Sequence, residues 1–199
     1  LKNNAGISIT NMESLQHYSQ LYLSIFGKAD ITLSWAPWDE IYKLTFPPHL
    51  HILTILRKCK RVTLYSKVLD VFNLIYQKPW TLALKGKRIL IVSSFIESIK
   101  EKVEIREKMY GMDLFPDCEF IFLKPPQTQA GNTSRDFLVE LQDFIGELDK
   151  VKDSFDIALL SCGGYGMLIL DYLKKIGKSA IYVGGVLQMY FGIYGRRWM

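Results

Sequence analysis

The sequence predicts an α/β domain built on a mostly parallel, Rossmann-like sheet flanked by helices. Three observations carry that expectation. From Lys85 onward, short apolar runs of strand length alternate with longer amphipathic stretches. Two of the short runs end in glycine pairs, Gly163-Gly164 and Gly184-Gly185, and each pair opens a helical pattern. With 199 residues, 49% hydrophobic and 23% charged, the chain has the length and composition of a single globular domain.

Residues 1–80 form an irregular, aromatic-rich amino-terminal part of that domain. Met12 to Phe26 predicts a helix, because Leu15, Tyr18, Leu21, Tyr22 and Ile25 recur at 3.6-residue spacing, with Asn11 or Ser14 as its cap. Ala29 to Trp35 reads as a strand, Pro47-Pro48 as a break, and Arg61 to Tyr65 as a short β-branched strand. Leu69 to Tyr76 is expected to be helical, and Pro79-Trp80 to open a short turn or helix over Thr81 to Leu84.

Residues 85–199 form the regular β-α-β part. Arg88 to Ser93 is apolar throughout and too short for a helix, so it predicts a buried strand. Ile96 to Tyr110 predicts one amphipathic helix, and Glu119 to Leu123 a strand halted by Pro125-Pro126. Ser134 to Val151 carries a wide apolar stripe, with Thr133 and Asp136 giving a start like a capping box. Asp156 to Ser161 and Ser179 to Val183 read as strands. The helix between them, Gly166 to Ile176, is closed by Gly177, and Val186 to Phe191 begins a last helix.

The net charge of +5 draws on Arg57-Lys58-Cys59-Lys60-Arg61 and Arg196-Arg197. A solvated turn, or cations serving a phosphorylated ligand, accounts for these better than a nucleic-acid surface. Three cysteines without metal spacing (Cys59, Cys118, Cys162) are expected to be free thiols in a reducing, cytoplasmic setting. No apolar run has the length of a transmembrane helix, and Leu1-Lys2-Asn3-Asn4 opens no signal peptide. Both ends read as cuts through a longer protein.

Parallel strands of this kind end along one edge of the sheet, where open α/β folds bind ligands. The expected tips are Ser93-Ser94, Lys124-Pro125, Ser161 to Gly164, and Gly184-Gly185. Glycines there let backbone N–H groups approach an anion, and the following helix turns its positive end toward it. Gly163, Gly164, Tyr165 and Gly166 are the first candidates for such a floor, with Gly185 and Gln188 at the next tip. Ser98 and Lys102 are candidates for holding a phosphate, Gln127 for a base or sugar, and Ser94 is a further donor-binding candidate. Arg106 shares the face of Ser98 and Lys102 at four-residue steps but is assigned to pairing with nearby glutamates. The turn is neither a dinucleotide fingerprint, since Ile169 stands where a third glycine belongs, nor a P-loop. Cys162 is read as a small residue in a tight turn, since no histidine follows it in the chain. His49-x-His51 would straddle a strand and gathers no clear third metal ligand. Trp35 and Trp38, just ahead of Asp39 and Glu40, are expected to pack.

Beyond these features, Gly86 to Phe95 (GKRILIVSSF), Ser98-Ile99, Arg106-Glu107-Lys108, Pro126-Gln127, Asp156 to Gly166 (DIALLSCGGYG), Gly177 to Gln188 (GKSAIYVGGVLQ) and Phe191 to Trp198 (FGIYGRRW) form a series. That series resembles the GT-D-fold domain of glycosyltransferases from bacterial polysaccharide clusters and large DNA viruses. Leu1 to Gly6 and Trp35 fit the same pattern loosely. The resemblance implies transfer of a sugar from a nucleotide-sugar donor to a glycan or other acceptor. It also implies a divalent metal, manganese or magnesium, held by an acidic motif after an Arg-x-Gly-type segment. No such segment stands in this chain, where it would precede Leu1, so no residue here is assigned as a metal ligand. Asp39 and Glu40 are the candidates for a catalytic base. Two other readings stay open: a non-catalytic nucleotide or phosphosugar-binding module, and a nucleoside-cofactor enzyme such as a methyltransferase using the glycine turn.

Overall fold

The structure, a computed structural model, describes residues 5–34, 51–52, 54–58, 62–65, 69, 78–128 and 135–194. In chain order it comprises α1 (Met12–Phe26), β1 (Ile31–Ser34), β2 (Val62–Tyr65), a 3₁₀ turn (Trp80–Leu84) and β3 (Arg88–Ser93). Then come α2 (Ile96–Val103), α3 (Arg106–Tyr110), β4 (Glu119–Leu123), α4 (Phe137–Val151) and β5 (Ile157–Ser161). A 3₁₀ turn (Gly163–Tyr165) leads into α5 (Gly166–Lys175), followed by β6 (Ser179–Tyr182) and a 3₁₀ segment (Gly184–Phe191).

The α/β expectation holds. Four parallel strands pair in the order β4-β3-β5-β6, and β1 and β2 form a separate parallel pair. Alternation along the central strands divides the core. Leu90, Val92, Ala158 and Leu160 point to the layer of α1, α4 and α5, where they meet Phe137, Phe144, Leu148, Ile169 and Leu173. Ile89, Ile91 and Leu159 point the other way, toward Ile99 of α2 and Leu187, Met189, Tyr190 and Phe191 of the last 3₁₀ segment. Burial on both faces is why these strands are apolar without interruption. The link from β3 to β4 runs over one face, and those from β4 to β5 and β5 to β6 over the other. A crossover that reverses direction must change faces to keep the same hand.

Three expected elements differ. The single helix over 96–110 is two, broken at Glu104-Ile105, because the Arg106 guanidinium takes the Val103 carbonyl and forks onto Asp113 at 2.9 Å through both Nε and Nη2. The fourth helix starts at Phe137 rather than Ser134, since Asp136 is itself the cap and accepts the Leu138 N–H. The last segment is 3₁₀ and begins at Gly184. Asn11 caps α1 through the Ser14 N–H, one of the two caps expected. Of the helix expected over Leu69 to Tyr76 only Leu69 is described; residues 70–76 and the break at Pro47-Pro48 lie outside the described residues. No helix among the described residues is long and apolar enough to cross a membrane.

Candidate functional site

Because all four strands run the same way, β3 to β6 end on one edge. The winding reverses there. The crossover from β3 goes outward to β4, and the next comes back past β3 to β5. Loops leaving neighbouring strands in opposite directions open a crevice between them. In this sheet the reversal falls between the Ser93 to Phe95 turn and the Ser161 to Gly164 turn.

At the β3 tip, Ser93 is fully buried, and its hydroxyl accepts the Phe95 N–H at 3.1 Å, tightening the turn. This throws Ser94 and Phe95 outward, leaving the Phe95 ring 41% exposed. Phe95 is also the N-cap of α2 and supplies no side-chain cap, so the first N–H groups of that helix are left to the edge. Ser98 is exposed one turn along, and Lys102 is half-buried. Lys102 stands about 9 Å along the helix axis from Ile96, so it must extend back to reach a ligand at the edge. Arg106 is held by Asp113 and lies over the Phe120 ring at 5.8 Å. The expected pairing with Glu101, Glu104 or Glu107 gives way to this anchor.

From the β4 tip, Gln127 reaches across to the β3 tip. Its Nε2 donates to the Pro125 carbonyl at 2.7 Å and to Ser94 Oγ at 3.0 Å. The two candidates from separate strand tips therefore touch.

The β5 tip is closed by the chain itself. The Gly164 N–H donates to the Ala5 carbonyl at 2.7 Å, and the Gly164 carbonyl accepts from the Tyr18 hydroxyl at 3.1 Å. The Gly163 carbonyl accepts from the Tyr182 hydroxyl at 3.0 Å. A Cβ on Gly163 would overlap the Ala5 carbonyl, one on Gly164 the Ile7 side chain, and one on Gly166 the Tyr182 ring. The glycines thus make room for residues 5–7, Tyr18 and Tyr182, instead of forming a bare floor. Tyr165 is buried, and its hydroxyl lies 3.3 Å from Thr128 Oγ1, which bonds the Gly6 carbonyl. Burial raises the pKa of Tyr18, Tyr165 and Tyr182, so these hydroxyls keep their protons. Cys162 is buried beside them and its thiol is pushed up to about 12, which fits the reading of it as a turn residue.

The β6 tip is open. Among the described residues, nothing lies within 4 Å of a Cβ built on Gly184 or Gly185, and Gly185 is exposed. Gly184 holds φ +73, a conformation that favours glycine. Gln188 is only 4% exposed and lies within the packed segment behind the tip.

Asp39, Glu40, His49, Trp35 and Trp38 lie outside the described residues. His51 is exposed in a short helical stretch, so the strand geometry expected for His49-x-His51 does not apply to it. Among the described residues, no three His, Cys, Asp or Glu side chains are grouped to hold a metal ion. Sequence reasoning did not single out Phe95, Tyr18 or Tyr182. The first sits in an apolar strand-to-helix run, and the tyrosines look like ordinary core positions, so neither carried a separate signal. No family model, no curated protein and no solved structure matches the chain.

Proposed function

We propose that the protein is a cytoplasmic glycosyltransferase of GT-D type, or the donor-binding core of one, moving a sugar from a nucleotide-sugar donor to a glycan or other acceptor. The observation that carries this reading is a set of open groups along the carboxyl edge of the sheet, on either side of the closed β5 tip. These are the uncapped start of α2, the exposed Ser94 and Phe95, Gln127 bonded to Ser94, and the unobstructed Gly184-Gly185 turn. The motif series from Ile157 to Trp198 supports the same reading from the sequence side.

The chemistry asks for two things. A departing nucleoside diphosphate needs positive potential where its charge develops, and a helix start contributes about 0.3–1 kcal/mol toward an exposed anion. The start of α2, Gly185 and an extended Lys102 are the groups proposed for this. The acceptor hydroxyl needs a base, and Asp39 and Glu40 are proposed for that role. A divalent cation would neutralise the diphosphate when bound. The described residues offer it no grouped ligands, so no step is assigned to it.

The methyltransferase alternative placed a nucleoside on the Gly163-Gly166 turn. With the Gly164 N–H bonded to Ala5 and the space filled, that turn gives it no support. A thermal-shift panel of UDP-, GDP- and CDP-sugars, with and without manganese, tests the proposal. At a donor concentration a hundredfold above Kd, the melting temperature should rise by about 5–10 °C. Release of nucleoside diphosphate on incubation with donor would separate an enzyme from a binding module. Stabilisation by S-adenosylmethionine alone would overturn the proposal.

A further inference from the structure

Resting on the nucleotide-donor reading, we propose that Gln127, Ser94 and Phe95 form the base-recognition corner of the site, built for a base with a ring N–H beside a carbonyl, as in uracil or guanine. The Pro125 carbonyl can only accept a hydrogen bond, so the Gln127 group 2.7 Å from it must be the NH₂. Its second N–H goes to Ser94 Oγ at 3.0 Å. Both amide protons are thereby committed within the protein. Gln127 is exposed, so what it offers a ligand is its carbonyl oxygen, an acceptor. Ser94 is also exposed, and its oxygen accepts from Gln127 while its own proton remains to donate. An acceptor and a donor are thus offered by two side chains bonded to each other, a pairing suited to an N–H next to a C=O on a planar ring.

A phosphate, which has only acceptors at neutral pH, would meet the Gln127 oxygen as like against like. The phosphates are therefore directed to the α2 start and Gly185, and the base to this corner. The Phe95 ring, 41% exposed beside Ser94, supplies the apolar face on which a base can stack.

The experiment measures Kd by calorimetry for UDP, GDP and N3-methyl-UDP against wild type, Gln127→Ala, Ser94→Ala and Phe95→Ala. Gln127→Ala and Ser94→Ala should each weaken UDP or GDP binding about three- to tenfold. Phe95→Ala should weaken it about fivefold or more. In wild type, N3-methyl-UDP should bind at least about tenfold more weakly than UDP, because methylation removes the donated proton and adds bulk. Inhibition of UDP binding by pyrophosphate should be unaltered in Gln127→Ala, which a general loss of structure would not spare. If UDP or GDP binds wild type but Gln127→Ala, Ser94→Ala and N3-methylation leave Kd unchanged, the base corner is wrong and the donor reading stands. If no nucleoside diphosphate or nucleotide sugar binds wild type, the donor reading falls and this inference falls with it.

Discussion

Gly164 and Gly185 both end a parallel strand in a glycine pair, yet they do different work. At Gly164 the nearest atoms to an added Cβ are those of Ile7, itself fully buried, with the Tyr18 hydroxyl 2.8 Å away. At Gly185 none of the described residues comes within 4 Å of an added Cβ. Gly164→Ala should lower unfolding stability by about 1–3 kcal/mol in urea titrations, and Gly185→Ala should stay within about 0.5 kcal/mol of wild type. Equal effects would mean that the amino-terminal segment does not fill the first turn. Cys162 offers a chemical check on the same corner. Its thiol is buried and held far from ionisation, so iodoacetamide at pH 8 should leave it unmodified in the native protein while labelling it in urea. Rapid native labelling would show the corner to be open.

At the level of elements, the sheet is pinned at the ends opposite the site. Asp156 accepts from the Arg88 N–H at 2.9 Å and from the Arg88 guanidinium at 2.8 Å, while its own N–H returns to the Arg88 carbonyl. The register of β3 against β5 is thus fixed at the start of the two strands whose far ends flank the winding reversal. The side-chain hydrogen bond from Arg88 is the main reason the Asp156 carboxyl is held down to about 2, below its unfolded value of about 3.9. A depressed acid stabilises the fold above its unfolded pKa and loses that effect as pH falls through its folded one. Wild type should therefore exceed Asp156→Asn in stability above about pH 4, and the difference should fade between about pH 4 and pH 2. A difference that persisted undiminished to pH 2 would contradict the ion pair. The break between α2 and α3 is the second element-scale feature. Arg106→Ala leaves the partly buried Asp113 without its fork and should destabilise by about 1–3 kcal/mol, measured by chemical denaturation.

For the molecule as a whole, periodicity and apolar run length made the four-stranded parallel sheet legible, most plainly in the central β3 and β5, which are buried on both faces and cannot hide their composition. Gln127 and Ser94 were likewise readable as edge residues from their places after strand tips. Their bond was not, since it joins residues 33 positions apart. The closure of the Gly163-Gly166 turn was illegible for the same reason. Glycine records that something comes close, but not whether that neighbour is a ligand or, as here, the carbonyl of Ala5. The break at Glu104-Ile105 escaped a helical pattern that runs through it, because Asp113 lies beyond the pattern's end. We propose that the open part of this edge holds a nucleotide-sugar donor while the closed turn stays outside the contact. Amide chemical-shift mapping of ¹⁵N-labelled protein titrated with the donor that stabilises it most tests this directly. Saturable shifts are expected at Ser94 to Ser98, Gln127 and Gly184-Gly185, with Gly164 unmoved. Shifts centred on Gly163 to Gly166, or none at this edge with any nucleotide sugar, would contradict it.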